Sequence, residues 1–111
     1  MTVPIGSVPI ETVGSTTSSS QSQTVVGTTA SQLIASNSSR RQVMVQNTGT
    51  TTIYLALSGS NPTTTVYHLA LKACTNANDG TGGVFITTMW NGAIQAISSA
   101  ASGTCVVTEL T

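Results

Sequence analysis

Charge is what this sequence has least of. Of 111 residues only Glu11, Asp79, Glu109, Arg40, Arg41 and Lys72 are formally charged, and they cancel. Without a basic cluster there is no electrostatic footprint for a nucleic-acid partner. A net charge near zero favours contact between copies, and the centres of protein interfaces are depleted of charge. So bare a surface is either one that its Thr and Ser keep solvated or, the sharper reading, one buried against partners. Histidine occurs once, as His68, which excludes a metal site built from several imidazoles. A Ser-His-Asp arrangement would have to recruit Asp79 from a Gly-rich loop, and no Gly-x-Ser-x-Gly elbow is present. Acid/base work by paired carboxylates would need two of Glu11, Asp79 and Glu109, which sit far apart in the chain. Gly80, Gly82 and Gly83 precede a strand-like run, not a helix that could cradle phosphate. Neither an enzyme nor a bound cofactor is expected.

Other absences narrow the class further. No apolar run approaches the roughly 20 residues that span a bilayer, so no membrane partner is expected. The first residues lack a basic stretch followed by a continuous apolar one, and a secretory signal is not expected. Two cysteines, Cys74 and Cys105, fall short of a disulfide framework. They read as reduced, buried thiols of a protein assembled in cytoplasm. Aromatics number four, too few for a surface built around ring stacking, and core use is expected for Trp90.

What is abundant is hydroxyl: 21 Thr and 15 Ser, about a third of the chain. Thr is β-branched and suits a pleated, half-wet surface. Helix-forming residues are scarce, so an all-β domain of ordinary single-domain size follows. Arg41–Gln46 alternates with Val43 and Val45 on one face, and Ile53, Leu55 and Leu57 resume the alternation with Tyr54 and Ala56 opposite. Asn47-Thr-Gly49 lies between, and the stretch Asn37–Leu57 reads as a central β-hairpin. Thr24–Val26, Gln32–Ala35, Thr65–Leu71, Val84–Trp90, Ala93–Ile97 and Thr104–Leu110 supply further short strands. Asn91-Gly92 between two apolar runs is the strongest short-range hairpin signal. Asn76–Gly83 reads as a flexible surface loop, the kind that carries function. Seven to eight short strands separated by turns predict a jelly-roll-like β-sandwich or barrel over residues 23–111.

Residues 1–22 read as an extended N-terminal arm, for which two readings stand: a disordered tail, as such composition usually means, or a segment that orders on a partner's surface. Val3-Pro4-Ile5 and Val8-Pro9-Ile10 repeat at a spacing of five, each proline removing a backbone donor and favouring extended chain. The Ser/Thr/Gln tract that follows reads as a flexible tether. These two blocks are candidate partner-binding residues, together with Arg40 and Arg41. For the arginines two readings stand: a bidentate anchor onto a partner, or a guanidinium capping a sheet edge on carbonyls or Glu109.

Asn37-x-Ser39-Arg40, Val43-x-Val45-Gln-Asn47-x-Gly49, Ile53-Tyr-Leu-x-Leu57, Tyr67-His-Leu-x-Leu71 and Trp90-Asn-Gly-Ala-Ile-Gln-Ala-Ile97 resemble modules of bacteriophage virion surface proteins. With the length and the Ser/Thr-rich front end, the chain resembles the small capsid decoration, or staple, proteins of epsilon-fifteen-like short-tailed phages. The resemblance implies a jelly-roll-like fold on the outside of an icosahedral virion, assembled in the host cytoplasm. There it would clamp neighbouring major capsid subunits against internal DNA pressure, with a homodimer as the expected form. The alternative is a virion-surface module recognising host-cell carbohydrate through Trp90, Tyr54 or Tyr67 near the Asn76–Gly83 loop.

Overall fold

The computed structural model describes Thr16 and residues 18–111. These form eight strands and no helix: β1 (Ser19–Val26), β2 (Ser31–Ile34), β3 (Gln42–Asn47), β4 (Ile53–Ala56), β5 (Leu69–Leu71), β6 (Val84–Thr87), β7 (Ile94–Ser98) and β8 (Gly103–Leu110). They make two four-stranded sheets, ordered β1-β8-β3-β6 and β2-β7-β4-β5, with every pairing antiparallel. Of the seven connections only β4–β5 stays within one sheet. The other six carry the chain from one sheet to the other. Eight strands wound in this way as two nested Greek keys are a jelly roll, the sandwich form of the expected fold.

Alternation explains which side chains meet. Val43 and Val45 from β3, with Cys105 and Val107 from β8, point inward from the first sheet. Ile53 and Leu55 from β4, with Ile94 and Ala96 from β7, answer from the second. Val26 and Leu71 close the same cluster, and Phe85 and Trp90 pack against its rim. Complete burial of a Val, Leu or Ile side chain stabilises by about 1.5–3 kcal/mol, so this small cluster carries much of the fold's driving force.

Both expected hairpins are corrected. β3 pairs with β6 and β8, while β4 pairs with β5 and β7, so Asn47–Thr51 is a corner between sheets. Asn47, wholly buried, winds that corner about its carboxamide. Its Nδ2 donates to Thr51 O at 2.8 Å and Leu71 O at 3.0 Å, and its Oδ1 accepts from Gly49 N at 3.0 Å. Likewise β6 and β7 lie in different sheets, with Asn91-Gly92 between them. A tight two-residue hairpin needs positive φ at its centre. Among the described glycines only Gly80 has it. Gly92 serves a different need, because a Cβ there would lie 2.4 Å from the Trp90 ring.

Two further boundaries move. Thr65–Leu71 contributes only Leu69–Leu71 as strand, because Thr63 Oγ1 accepts from the amides of Thr65 and Val66 and turns the chain there. At the other end β1 begins at Ser19, pairs along its length with β8, and receives the Thr111 amide at Ser18 O. Ser19–Ser22, expected in the tether, are therefore sheet. Val3-Pro4-Ile5 and Val8-Pro9-Ile10 lie outside the described residues.

Candidate partner-binding surface

Arg40 sits between β2 and β3 with its side chain fully buried. Nε donates to Glu109 Oε2 at 2.8 Å, Nη1 to Trp90 O at 3.2 Å and Gly92 O at 2.9 Å, and Nη2 to Ala35 O at 2.6 Å. One planar fork thus ties the end of β8, the exit from β2 and the β6–β7 corner. Of the two readings of this arginine, the internal one describes the molecule: the guanidinium faces inward, and four of its five N–H donors go to the chain's own oxygens. Nearby, Asn37 N donates to Asn91 O and Arg40 N to Asn37 O, so backbone bonds brace the same corner. Arg41 is exposed, with its amide donating to Leu110 O.

The outer face of the β1-β8-β3-β6 sheet has the opposite character. Register places Ile86 opposite Met44, Met44 opposite Thr108, and Thr108 opposite Gln21. The next rank runs Val84, Gln46, Val106, Gln23. Gln42, Leu110, Ser19, Thr104 and Val25 complete the face, and none of these residues is charged. Val25 is 67% exposed, and Val84 and Ile86 are each 52% exposed. Met89, just beyond β6, is exposed too. A solvated sheet face normally turns its polar alternates outward, and edge strands normally carry charge or proline against unwanted pairing. β6 does neither.

Outside the second sheet, the β4–β5 connection folds back over Tyr54 and Ala56. The Tyr67 ring packs on Tyr54, centroids 4.7 Å apart and tilted by 48°. Beside them lies an open cleft of about 450 Å³ lined by Ala56, Ser58, Asn61, Val66, Tyr67 and His68, among others. His68, expected in a strand, is in this loop, where its Nδ1 accepts the Leu57 amide at 2.8 Å. The aromatic pair adjoins this connection and not Asn76–Gly83.

Asn76–Gly83 is itself organised by Asp79. The carboxylate accepts from Asn76 N at 2.8 Å, Thr81 N at 2.9 Å and Thr81 Oγ1 at 2.6 Å. The Thr81 hydroxyl and amide, then the Asn76 amide, hold its pKa down at about 2. Asn78 and Gly80 take the positive φ that the turn requires. Behind the loop, Cys74 Sγ donates to Asn47 O. Cys74 and Cys105 are both buried free thiols, and burial pushes the Cys105 thiol up to about 11. Among the described residues no cluster of three or more His, Cys, Asp or Glu could hold a metal ion, and no helix is long and apolar enough to cross a membrane.

The exposed ranks on β6 were not anticipated from sequence. Val84-Phe-Ile86 is apolar on both faces, so its pattern does not reveal which side is core. The cleft has no linear signature, because its walls come from β4 and from a loop that folds back on it.

No protein-family model matches this chain, and no curated protein matches it. One solved structure, from work describing Bacillus endospore appendages as a novel family of disulfide-linked pili, aligns over 89% of this chain and 92% of its own. The identity is 20% and the TM-score 0.45, a likeness too slight to support any conclusion about this chain.

Proposed function

We propose that this protein is a structural component of a particle surface, a decoration protein that packs the uncharged outer face of its β1-β8-β3-β6 sheet against neighbouring subunits. The observation that carries this reading is that face: no charged residue, with Val25, Val84 and Ile86 left in solvent. Val84 and Ile86 with Met44 beside them form an apolar patch on the β6 side, Val25 standing at the opposite edge, and exposed apolar patches mark protein contacts. Four strands about 4.8 Å apart and some 20 Å long give a footprint near 400 Å², against about 800 Å² per partner in a standard interface. The face alone is therefore a weak contact. Many copies on a closed shell would add by avidity, and the Val3-Pro4-Ile5 and Val8-Pro9-Ile10 blocks would supply a second foot on the major capsid protein. Proline limits the freedom of the unbound chain and lowers the entropy lost on docking. Self-association through the same face, as a homodimer, would follow from the same chemistry.

The experiment is binding to stripped capsids by co-sedimentation, comparing the full chain, Ile86→Glu, and a chain lacking residues 2–12. Both alterations are expected to weaken binding at least tenfold, since a buried unpaired carboxylate costs several kcal/mol and loss of one foot removes the intramolecular gain. Equal binding by all three proteins would overturn the reading.

A further inference from the structure

We propose that the cleft between β4 and the folded-back β4–β5 connection is a binding site for a neutral pyranose sugar. The site is independent of the assembly face, because it lies outside the other sheet. Its volume of about 450 Å³ falls in the roughly 300–1,000 Å³ range of small-molecule sites. Tyr67 is 42% exposed and is held from behind by Tyr54. With Val66 and Ala56 it offers an apolar surface to the C–H face of a sugar ring. Pro62 is buried and stiffens the turn beneath.

Polar groups stand around this surface as hydroxyl recognition needs. His68 Nδ1 is occupied as an acceptor from Leu57 N, so in the neutral ring the proton sits on Nε2, which is a donor. Ser60 and Asn61 add a hydroxyl and a carboxamide able to donate and accept, while the Ser58 hydroxyl already donates to Ser60 O and accepts from Ser60 N. Among the described residues the Asn61 side chain has no hydrogen-bond partner of its own. No charged side chain lines the cleft, which selects against phosphate, sulfate and acidic sugars.

The walls are organised in advance of any ligand. Ser60 N donates to Ser58 Oγ at 3.0 Å, Thr63 N to Val66 O at 2.8 Å, and His68 N to Leu55 O at 2.8 Å. Less ordering is then left to oppose binding. For a single small ring on so open a site the affinity expected is about millimolar.

The test is an amide NMR titration of the ¹⁵N-labelled full chain. The probes are the methyl pyranosides of glucose, galactose and mannose, and N-acetylglucosamine, each taken to about 50 mM, well beyond the ~millimolar constant expected. N-acetylneuraminic acid and a peptide of residues 2–12 serve as comparisons. The expected result is a saturable shift of amides 57–68 with at least one neutral sugar. It should weaken at least tenfold in Tyr67→Ala, survive in Tyr67→Phe, and be unchanged in Ile86→Glu. If Tyr67→Ala loses its fold, Asn61→Ala replaces it, with severalfold weakening expected. The proposal is overturned if no neutral sugar gives a saturable shift, or if the substitutions leave the shift intact. It is equally overturned if the acidic sugar or the peptide binds there as well as or better than the neutral sugars.

Discussion

The Arg40 corner and the outer face of the β1-β8-β3-β6 sheet invert the usual distribution of charge. At the corner a guanidinium is buried with Glu109 and three carbonyls around it. On the face, valine and isoleucine stand in solvent with no charge among them. A soluble domain ordinarily spends its charges on the outside. Here two of six are committed to holding three chain segments together, and a third, Asp79, is committed to folding its own loop. The difference teaches that half of this molecule's few charges are architectural, while Arg41 and Lys72 stay exposed, and that the outer face of this sheet is left to amides, hydroxyls and bare aliphatics.

The largest expected effect comes from breaking the corner. Arg40→Met should destabilise by about 3–5 kcal/mol, because Glu109 and the carbonyls lose their buried partner. Urea denaturation would measure it, and a loss below about 1 kcal/mol would show that the corner is not structural. Gly92→Ala attacks the same corner sterically. Its methyl would meet the Trp90 ring at 2.4 Å, and a cost of about 1–3 kcal/mol is expected, read as a lower Tm. An unchanged Tm would mean that the indole moves aside freely.

Asp79 gives a smaller, local effect with a definite sign. Its folded pKa, about 2, lies below the ordinary 3.8, so the ionised form is favoured by folding. That contribution is full above pH 3.8 and is lost as pH falls through about 2. Amide exchange of residues 76–81, taken relative to the intrinsic rate at each pH, should therefore accelerate on acidification across that window, while core amides stay protected. Asp79→Asn should abolish the acceleration. The smallest effect on stability belongs to the other side of the comparison. Ile86→Glu should change stability by no more than about 0.5 kcal/mol, as exposed substitutions do. A larger loss would show that the face is tied into the fold.

The strands themselves were legible. Val43 and Val45 alternate with Met44 and Gln46, and Ile53 and Leu55 with Tyr54 and Ala56, and the structure buries the faces that alternation selects. What local pattern does not carry is the identity of a strand's neighbour. Asn47-Thr-Gly49 and Asn91-Gly92 have the residues of a hairpin, but a corner between sheets uses the same residues for other reasons. Asn47 is there to bond Thr51 and Leu71 from inside, and Gly92 to let the Trp90 ring approach. Arg40 was legible only as two alternatives, since the choice depends on Glu109, which lies 69 positions along the chain. The cleft was illegible because it exists only once Tyr67 returns to Tyr54.

The crossing connections also decide when this chain can fold. β1 is hydrogen-bonded in its sheet to β8 alone, with Ser19 opposite Leu110. β8 is also the strand that joins β1 to β3. During synthesis β1 therefore stays without its sheet partner until β8 clears the ribosome, and the loop between them, the longest that any pairing closes, is closed last. Proteins dominated by such distant pairings fold in milliseconds to seconds, against microseconds for local helical bundles. Until then Val84 and Ile86 share the nascent chain with every other unpaired strand. The apolar rank that serves assembly in the finished molecule is an aggregation hazard in the unfinished one.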